Sequence, residues 1–233
     1  MKRFYKNVSV EQTGEAGWQV MLDGRGVKTV KGAPQIAPTA ALAQALAAEW
    51  DAQGEKIDPK TLPLRDMTDY ALDIVSPDPQ AVIEKVIAYG DTDTLLYRAD
   101  PDEPLYARQQ EVWEPIVSAF ENAHGVRMVR VSGIMHREQS PDALAALRTA
   151  LAQRDGFALA GIEAMASLAA SLIVALSAAE KGADALALWN AASLEEDWQA
   201  ELWGRDEEAE ERRAKREADF LRAREFVRLS IRQ

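Results

Sequence analysis

The sequence predicts an α+β protein in which a small β-rich N-terminal domain, residues 1–60, precedes a larger all-α helical domain, residues 61–233. Three observations predict it. The first forty residues alternate apolar and polar side chains around glycine turns, which is the period of a half-buried strand. From Thr39 onward the apolar residues recur every three or four positions, in segments bounded by proline and glycine. The composition, 47% hydrophobic and 28% charged over 233 residues, is that of a globular chain long enough to bury a core without disulfide or metal.

Taken in order, Phe4 to Val10 reads as a first strand and Trp18 to Leu22 as a second. Asp23-Gly24-Arg25-Gly26 is the turn between the second strand and Val27 to Val30, because glycine accepts the positive φ of a tight hairpin. Thr39 is placed to cap a helix carrying Leu42, Leu46 and Trp50 on one face. Pro59 and Pro63 bound a loop, after which Leu64, Met67, Ala71 and Ile74 form a second helical stripe. Val82, Val86 and Tyr89 mark a helix that stops at Gly90. Pro104 opens a longer one, with Leu105, Val112, Trp113, Ile116 and Phe120 inward, a kink or boundary at Pro115, and a stop at His124-Gly125. Val126 to Val131 reads as extended. Ser140-Pro141 opens a helix through Leu144, Leu147 and Leu151. Residues 158–179 read as one apolar helix, 183–203 as another ending at Gly204, and 206–229 as a charged helix with a thin stripe of Phe220, Ala223 and Val227.

Charge and residue usage exclude several function classes. The net charge of −11 argues against nucleic acid and against an anionic membrane surface as partner, since both are held by clustered Lys and Arg. With no cysteine there is no thiol nucleophile and no Cys-based metal site, and two histidines cannot build a three-histidine centre. The N-terminus has bases but no apolar segment of a secretory signal, and strand-like sequence begins too early for a transit peptide. The 22 residues 158–179 could span a bilayer by length, but they are Ala-rich, carry Glu163 and lack aromatic anchors, so a buried bundle helix is expected and no membrane insertion. Residues 193–211 hold one base and nine acids, and residues 212–233 hold eight bases and three acids. Such a block pair makes either a salt-bridged solvated helix or a partner surface.

The candidate chemistry is sparse. Asp91 and Asp93 could grip a divalent cation, making a metal-dependent enzyme the alternative reading, or could cap the turn between two helices. Neither Glu195 nor Glu196 belongs to a Glu-x-x-His pair. His136 reads as an exposed loop residue and His124 as a cation at a helix end. Gly-x-Ser-x-Gly and the P-loop are absent, so no enzyme and no cofactor is expected. The most informative stretch is Leu194-Glu195-Glu196-Asp197-Trp198-Gln199-Ala200-Glu201-Leu202-Trp203-Gly204. Tryptophans beside carboxylates suit a protein contact; they equally suit a helix with its rings in the core and its acids in water.

Across residues 2–204 the chain resembles a family of assembly chaperones for the catalytic head of the F-type ATP synthase, mitochondrial and α-proteobacterial. The resemblance rests on Arg3-Phe4-Tyr5-Lys6, Leu22-Asp23-Gly24-Arg25 with Lys28-Thr29, and Ala48 to Gln53 around Glu49-Trp50-Asp51. It continues through Pro63-Leu64, Ala71-Leu72-Asp73, Tyr89 with Asp91 to Arg98, Gln109 to Pro115, and Leu194 to Gln199 with Trp203-Gly204. It implies a β-rich domain joined to a helical one, and a monomer that binds the unassembled alpha subunit and keeps it from aggregating until the hexamer forms. It also implies a bacterial cytoplasmic protein, or a mitochondrial matrix one if the chain is a mature form. The family's important acidic residue falls on Glu195, and the tryptophan of its Glu-Trp-Asp motif falls on Trp50. The residues expected at the partner contact are Glu195, Glu196, Trp198, Gln199 and Trp203, with Asp91 and Asp93. After Gly204 the chain departs from the family pattern, reading Arg205-Asp206-Glu207-Glu208.

Overall fold

The computed structural model describes residues 1–14, 17–133, 135–204 and 206–231; Arg205, where the departure from the family pattern begins, lies outside them. The described residues form a few N-terminal strands followed by ten α-helices, an α+β fold as expected. They group into two compact units: residues 1–79 with 155–161 and 225–233, and residues 80–154 with 162–224.

In the first unit, β1 (Val8–Thr13) and β2 (Gly17–Leu22) pair antiparallel from Val8 against Leu22 to Thr13 against Gly17. The first strand therefore starts later than Phe4, which is exposed. The hairpin turn is shorter than its four-residue signal. Asp23 and Gly24 both take positive φ, 48° and 77°, so the chain pairs again at once as β3 (Arg25–Gly26). Then β4 (Ile36–Ala37) pairs with the start of β2. Helix α1 (Ala40–Asp51) packs on β1 and β2 through Leu42, Ala43, Leu46 and Trp50, and the Thr39 hydroxyl accepts from the Leu42 N–H as its cap.

The stripe expected next is rotated. Helix α2 (Pro63–Tyr70) runs into a π-helical turn at Ala71–Val75, with Ser76 N–H bonded to the Ala71 carbonyl. The extra residue in that turn swings Ile74 out and Asp73 and Val75 in. Asp73 accepts from the Thr29 hydroxyl at 2.8 Å and the Lys31 N–H at 3.0 Å; Asp69 accepts from the Gln35 amide at 2.6 Å. A polar seam between helix and strands thus replaces an apolar one. In the same unit the Phe157 and Phe226 rings lie 5.9 Å apart.

In the second unit, α3 (Pro79–Asp91, placed here from Gln80) and α4 (Pro104–His124) follow. Helix α4 runs unbroken through Pro115, whose position is exposed, so water can satisfy the carbonyl that proline leaves unbonded. Gly125, at φ 64°, closes it. The extended segment becomes β6 (Val131–Ser132), parallel to β5 (Tyr97–Arg98). Glu121, its side chain 1% exposed, fastens this segment by accepting from the Met128 N–H and pairing with Arg127 and Arg130; Arg130 and the buried Arg98 also hold Glu114. Burial raises the Glu114 and Glu121 carboxyls, but the arginine bonds outweigh it and hold both below the ordinary range. Helix α5 (Pro141–Ala152) follows.

The single apolar helix expected over 158–179 is two, α6 (Gly156–Ala169) and α7 (Leu172–Ala179). Ala170 takes φ 48° between them and Ser171 caps α7. Likewise 183–203 divides at Ser193 into α8 (Ala185–Ala192) and α9 (Leu194–Trp203), and α10 (Glu207–Ser230) ends the described chain. Trp113, Trp189 and Phe220 are fully buried, and the Trp113 indole donates to the Ala191 carbonyl at 2.7 Å, fixing α8 against α4. Among the described residues no helix is long and apolar enough to cross a membrane.

Candidate functional site

Helix α9 gathers five of the residues expected at a partner contact, and they have different fates. Its first turn carries Glu195, Glu196 and Asp197, where carboxylates suit the positive end of the helix dipole. Two of them are paired: Glu196 with Arg216 at 2.9 Å and Asp197 with Arg213 at 2.8 Å, both on α10. Both pairs tie the first turn of α9 to the first half of α10. Part of the acid block is thus paired with the basic block that follows it, through Glu196, Asp197 and Glu208, while Glu201 stays exposed near the helix end. Arg216 also lies 5.4 Å from the Trp189 ring centroid and donates to the Leu168 carbonyl.

Glu195 is half-buried. It accepts from the Gln109 amide at 2.6 Å, and Gln109, fully buried on α4, accepts in turn from the Ala99 N–H at 2.8 Å. Burial pushes the Glu195 carboxyl above its ordinary value, against the pull of that hydrogen bond. Trp198 is half-buried beside Leu194 and Val112 in a cleft of about 370 Å³ among α4, α8 and α9. Gln199 is exposed, and Trp203 is 78% exposed. Leu202, 60% exposed beside it, was missed by the sequence reading. Trp203 also borders a second cleft, of about 350 Å³, between α9 and α10. The helix end thus offers an apolar tip beside the exposed Glu201, with the paired charges at the other end of the helix. The signal that could have found Leu202 is its place on the last turn before Gly204, where there is no further helix to cover it.

Asp91 and Asp93 stand apart from this, at the end of α3 and the turn after it. Asp93 is fully buried. Its Oδ1 accepts from the Leu95 N–H at 3.0 Å and the Ser171 hydroxyl at 2.7 Å, and its Oδ2 accepts from the Ile173 N–H at 2.9 Å. Burial raises its pKa to about 6 despite these bonds. It caps the start of α7 and has no oxygen turned to solvent, so it offers nothing to a partner surface or a metal. Asp91 accepts from the Gln139 N–H at 3.1 Å and lies 3.6 Å from His136, which is half-exposed and bonded to the Tyr97 hydroxyl at 2.6 Å. Among the described residues no group of three or more His, Asp or Glu side chains could hold a metal ion, so the metal-enzyme alternative has no donor set. The expected cation at His124 is also corrected: packed 4.5 Å from the Phe120 ring, it has its pKa pushed down by burial.

Comparisons with known proteins fit this geometry. A family described as "ATP12 chaperone protein" matches residues 2–121. The mitochondrial protein atp12 of Schizosaccharomyces pombe is 30% identical over 226 residues, 90% of this chain and 76% of its own. Atp12 from Paracoccus denitrificans superposes with a TM-score of 0.93 at 36% identity, covering 99% of this chain and 98% of that one; its aspartate-to-lysine mutant gives the same values. A protein of solved structure from Agrobacterium tumefaciens gives 0.92 at 40% identity, covering 99% and 86%.

Proposed function

The chain belongs to the ATP12 chaperone protein family, and from that premise we propose that it is an assembly chaperone of the F-type ATP synthase that binds the unassembled alpha subunit. The observation that carries the reading is the exposed Leu202–Trp203 tip at the end of the helix that bears the family-like Leu194 to Gln199 motif. An unassembled ring subunit exposes an apolar interface that would aggregate. A tryptophan at a helix end gives area to such a surface at little entropic cost. The contact centres on Trp203, Leu202 and Gln199, with Trp198 in the adjoining cleft and Glu196 on the rim. Glu195 acts from behind, by holding α9 on Gln109 of α4. Binding must be weaker than that of the final partner subunit, so that mass action releases the client into the hexamer. No catalytic step is involved, and the chaperone works as a monomer in the bacterial cytoplasm, or in the matrix of a mitochondrion.

The test is light scattering of purified alpha subunit diluted from denaturant. An equimolar amount of the chaperone suppresses aggregation of alpha subunit and not of the beta subunit. Equal suppression of both, or of neither, overturns the reading.

A further inference from the structure

A further cleft lies on the first unit, remote in sequence from α9 and unused by the contact just proposed. It measures about 570 Å³, room for one or two side chains, and lies between the hairpin, the N-terminal segment, the end of α1 and the start of α2. Its apolar rim includes Met1 and Phe4, 78% and 63% exposed, a costly arrangement for a chain that could have buried them. Phe4 stands edge-on to Tyr5 and Tyr5 edge-on to Trp50, at 5.3 and 5.8 Å, so the wall is a short aromatic ladder.

Two further features give the cleft a chemical preference. Its cations are Arg25, Lys28 and Arg65, the last already paired with Asp66 and Asp69, against one lining acid, Asp23. The Asp23 carboxylate is already held by the Lys6 and Asn7 N–H groups, which keep its pKa below the ordinary range. Among the described residues neither Arg25 nor Lys28 has an ion-pair partner, although the chain as a whole is strongly acidic; residues 1–32 carry six bases and three acids. Second, the Trp50 indole N–H and the Arg65 Nε are buried with no hydrogen-bond partner, and Trp50 is 7% exposed. Buried donors are nearly always paired, so these two mark the residues behind the cleft as incompletely satisfied.

We propose that this cleft is a second client-binding site, which takes a peptide segment carrying an apolar side chain beside a carboxylate. The apolar side chain lies against Phe4 and Trp50, and the carboxylate meets Arg25 and Lys28. A phosphate-bearing ligand fits less well. Gly24 and Gly26 belong to a hairpin rather than a phosphate loop, and the first free amides of α2, those of Leu64 and Arg65, are taken by the Glu49 carboxylate at 2.8 and 3.0 Å. The identity of the client rests on the alpha-subunit reading; the chemistry of the cleft does not.

The experiment has two arms on the full chain. In the first, the assigned indole N–H resonance of Trp50 is followed by NMR during titration with N-acetyl-Phe-Asp-Glu-amide, N-acetyl-Phe-Lys-Lys-amide or ATP. The acidic peptide is expected to shift it saturably, and the shift to vanish in the Arg25→Glu/Lys28→Glu variant, whose two exposed positions leave the fold intact by its unchanged melting curve. No shift, or a shift with the basic peptide or ATP alone, overturns the proposal. In the second, that variant is expected to bind purified alpha subunit about fivefold or more weakly, two rim charges being reversed. Equal binding by variant and wild type overturns the cleft as a client site. Failure of the wild type itself to bind alpha subunit overturns the choice of client and leaves the first arm to decide the cleft.

Discussion

Two carboxyls show how a residue's environment decides what a substitution there reports. Glu195 maps to the family's acidic position, and as a surface charge its replacement by lysine should leave stability untouched. It is not such a charge: it accepts a 2.6 Å bond from a fully buried glutamine. Glu195→Lys sets donor against donor and strands Gln109, so it should cost about 1–3 kcal/mol, whereas Glu195→Gln keeps an acceptor and should cost well under ~1 kcal/mol. Urea midpoints check both, and equal midpoints for the two variants would contradict the geometry. Asp93 is the second case. Its folded pKa of about 6 lies above 3.8, so the fold takes up a proton there. The stability it contributes is fully present below about pH 4 and is lost as pH rises through about 6. The difference in unfolding free energy between wild type and Asp93→Asn should therefore fall by on the order of 2–3 kcal/mol between pH 4 and 7. A difference that stays flat, or rises, contradicts the burial of this carboxyl. A lone Asp-x-Asp favours the cap over the metal ligand at Asp93, but it does not name the capped groups, because Ser171 and Ile173 lie about eighty residues away.

Elements with strong periodicity were legible, and their interruptions were not. The Thr39 cap, the Leu42, Leu46 and Trp50 face, the Gly125 stop and the Phe220, Ala223 and Val227 stripe stand where the spacing put them. The breaks inside 158–179 and 183–203 carry no Gly or Pro, the residues that usually announce a helix end. In the first of these, Ala170 takes positive φ just before Ser171, which caps α7 and bonds to the distant Asp93. The distinction is measurable. In one continuous helix Ala170→Gly would cost about 1 kcal/mol. At a positive-φ junction it should be neutral or stabilise by up to about 1 kcal/mol, because alanine there is strained. A loss of about 1 kcal/mol in thermal unfolding would restore the single helix. The π turn at Ala71–Val75 is the same lesson in another form: one extra residue exchanged Ile74 for Asp73 at the buried face, and it did so for the sake of hydrogen bonds to Thr29 and Lys31.

At the scale of the whole molecule, the net charge of −11 first reads as a reason to exclude polyanions and then as a hint of an acidic client-binding face. The fold redistributes it. Two acids in the first turn of α9 meet arginines of α10, and the end of α9 exposes leucine and tryptophan beside Glu201. The motif that carries the family resemblance is legible, and so are Gln199 and Trp203 as contact residues; Leu202 and the burial of Glu195 are not, since they depend on how the helices pack. The central claim is that this apolar tip holds the alpha subunit. It is tested most directly by the equilibrium dissociation constant of purified alpha subunit for wild type and for the Leu202→Ala/Trp203→Ala variant. Both positions are exposed, so the variant should melt with the wild type, and its binding should weaken about 30-fold or more, ~2 kcal/mol for a tryptophan-centred contact. Equal dissociation constants would contradict the account.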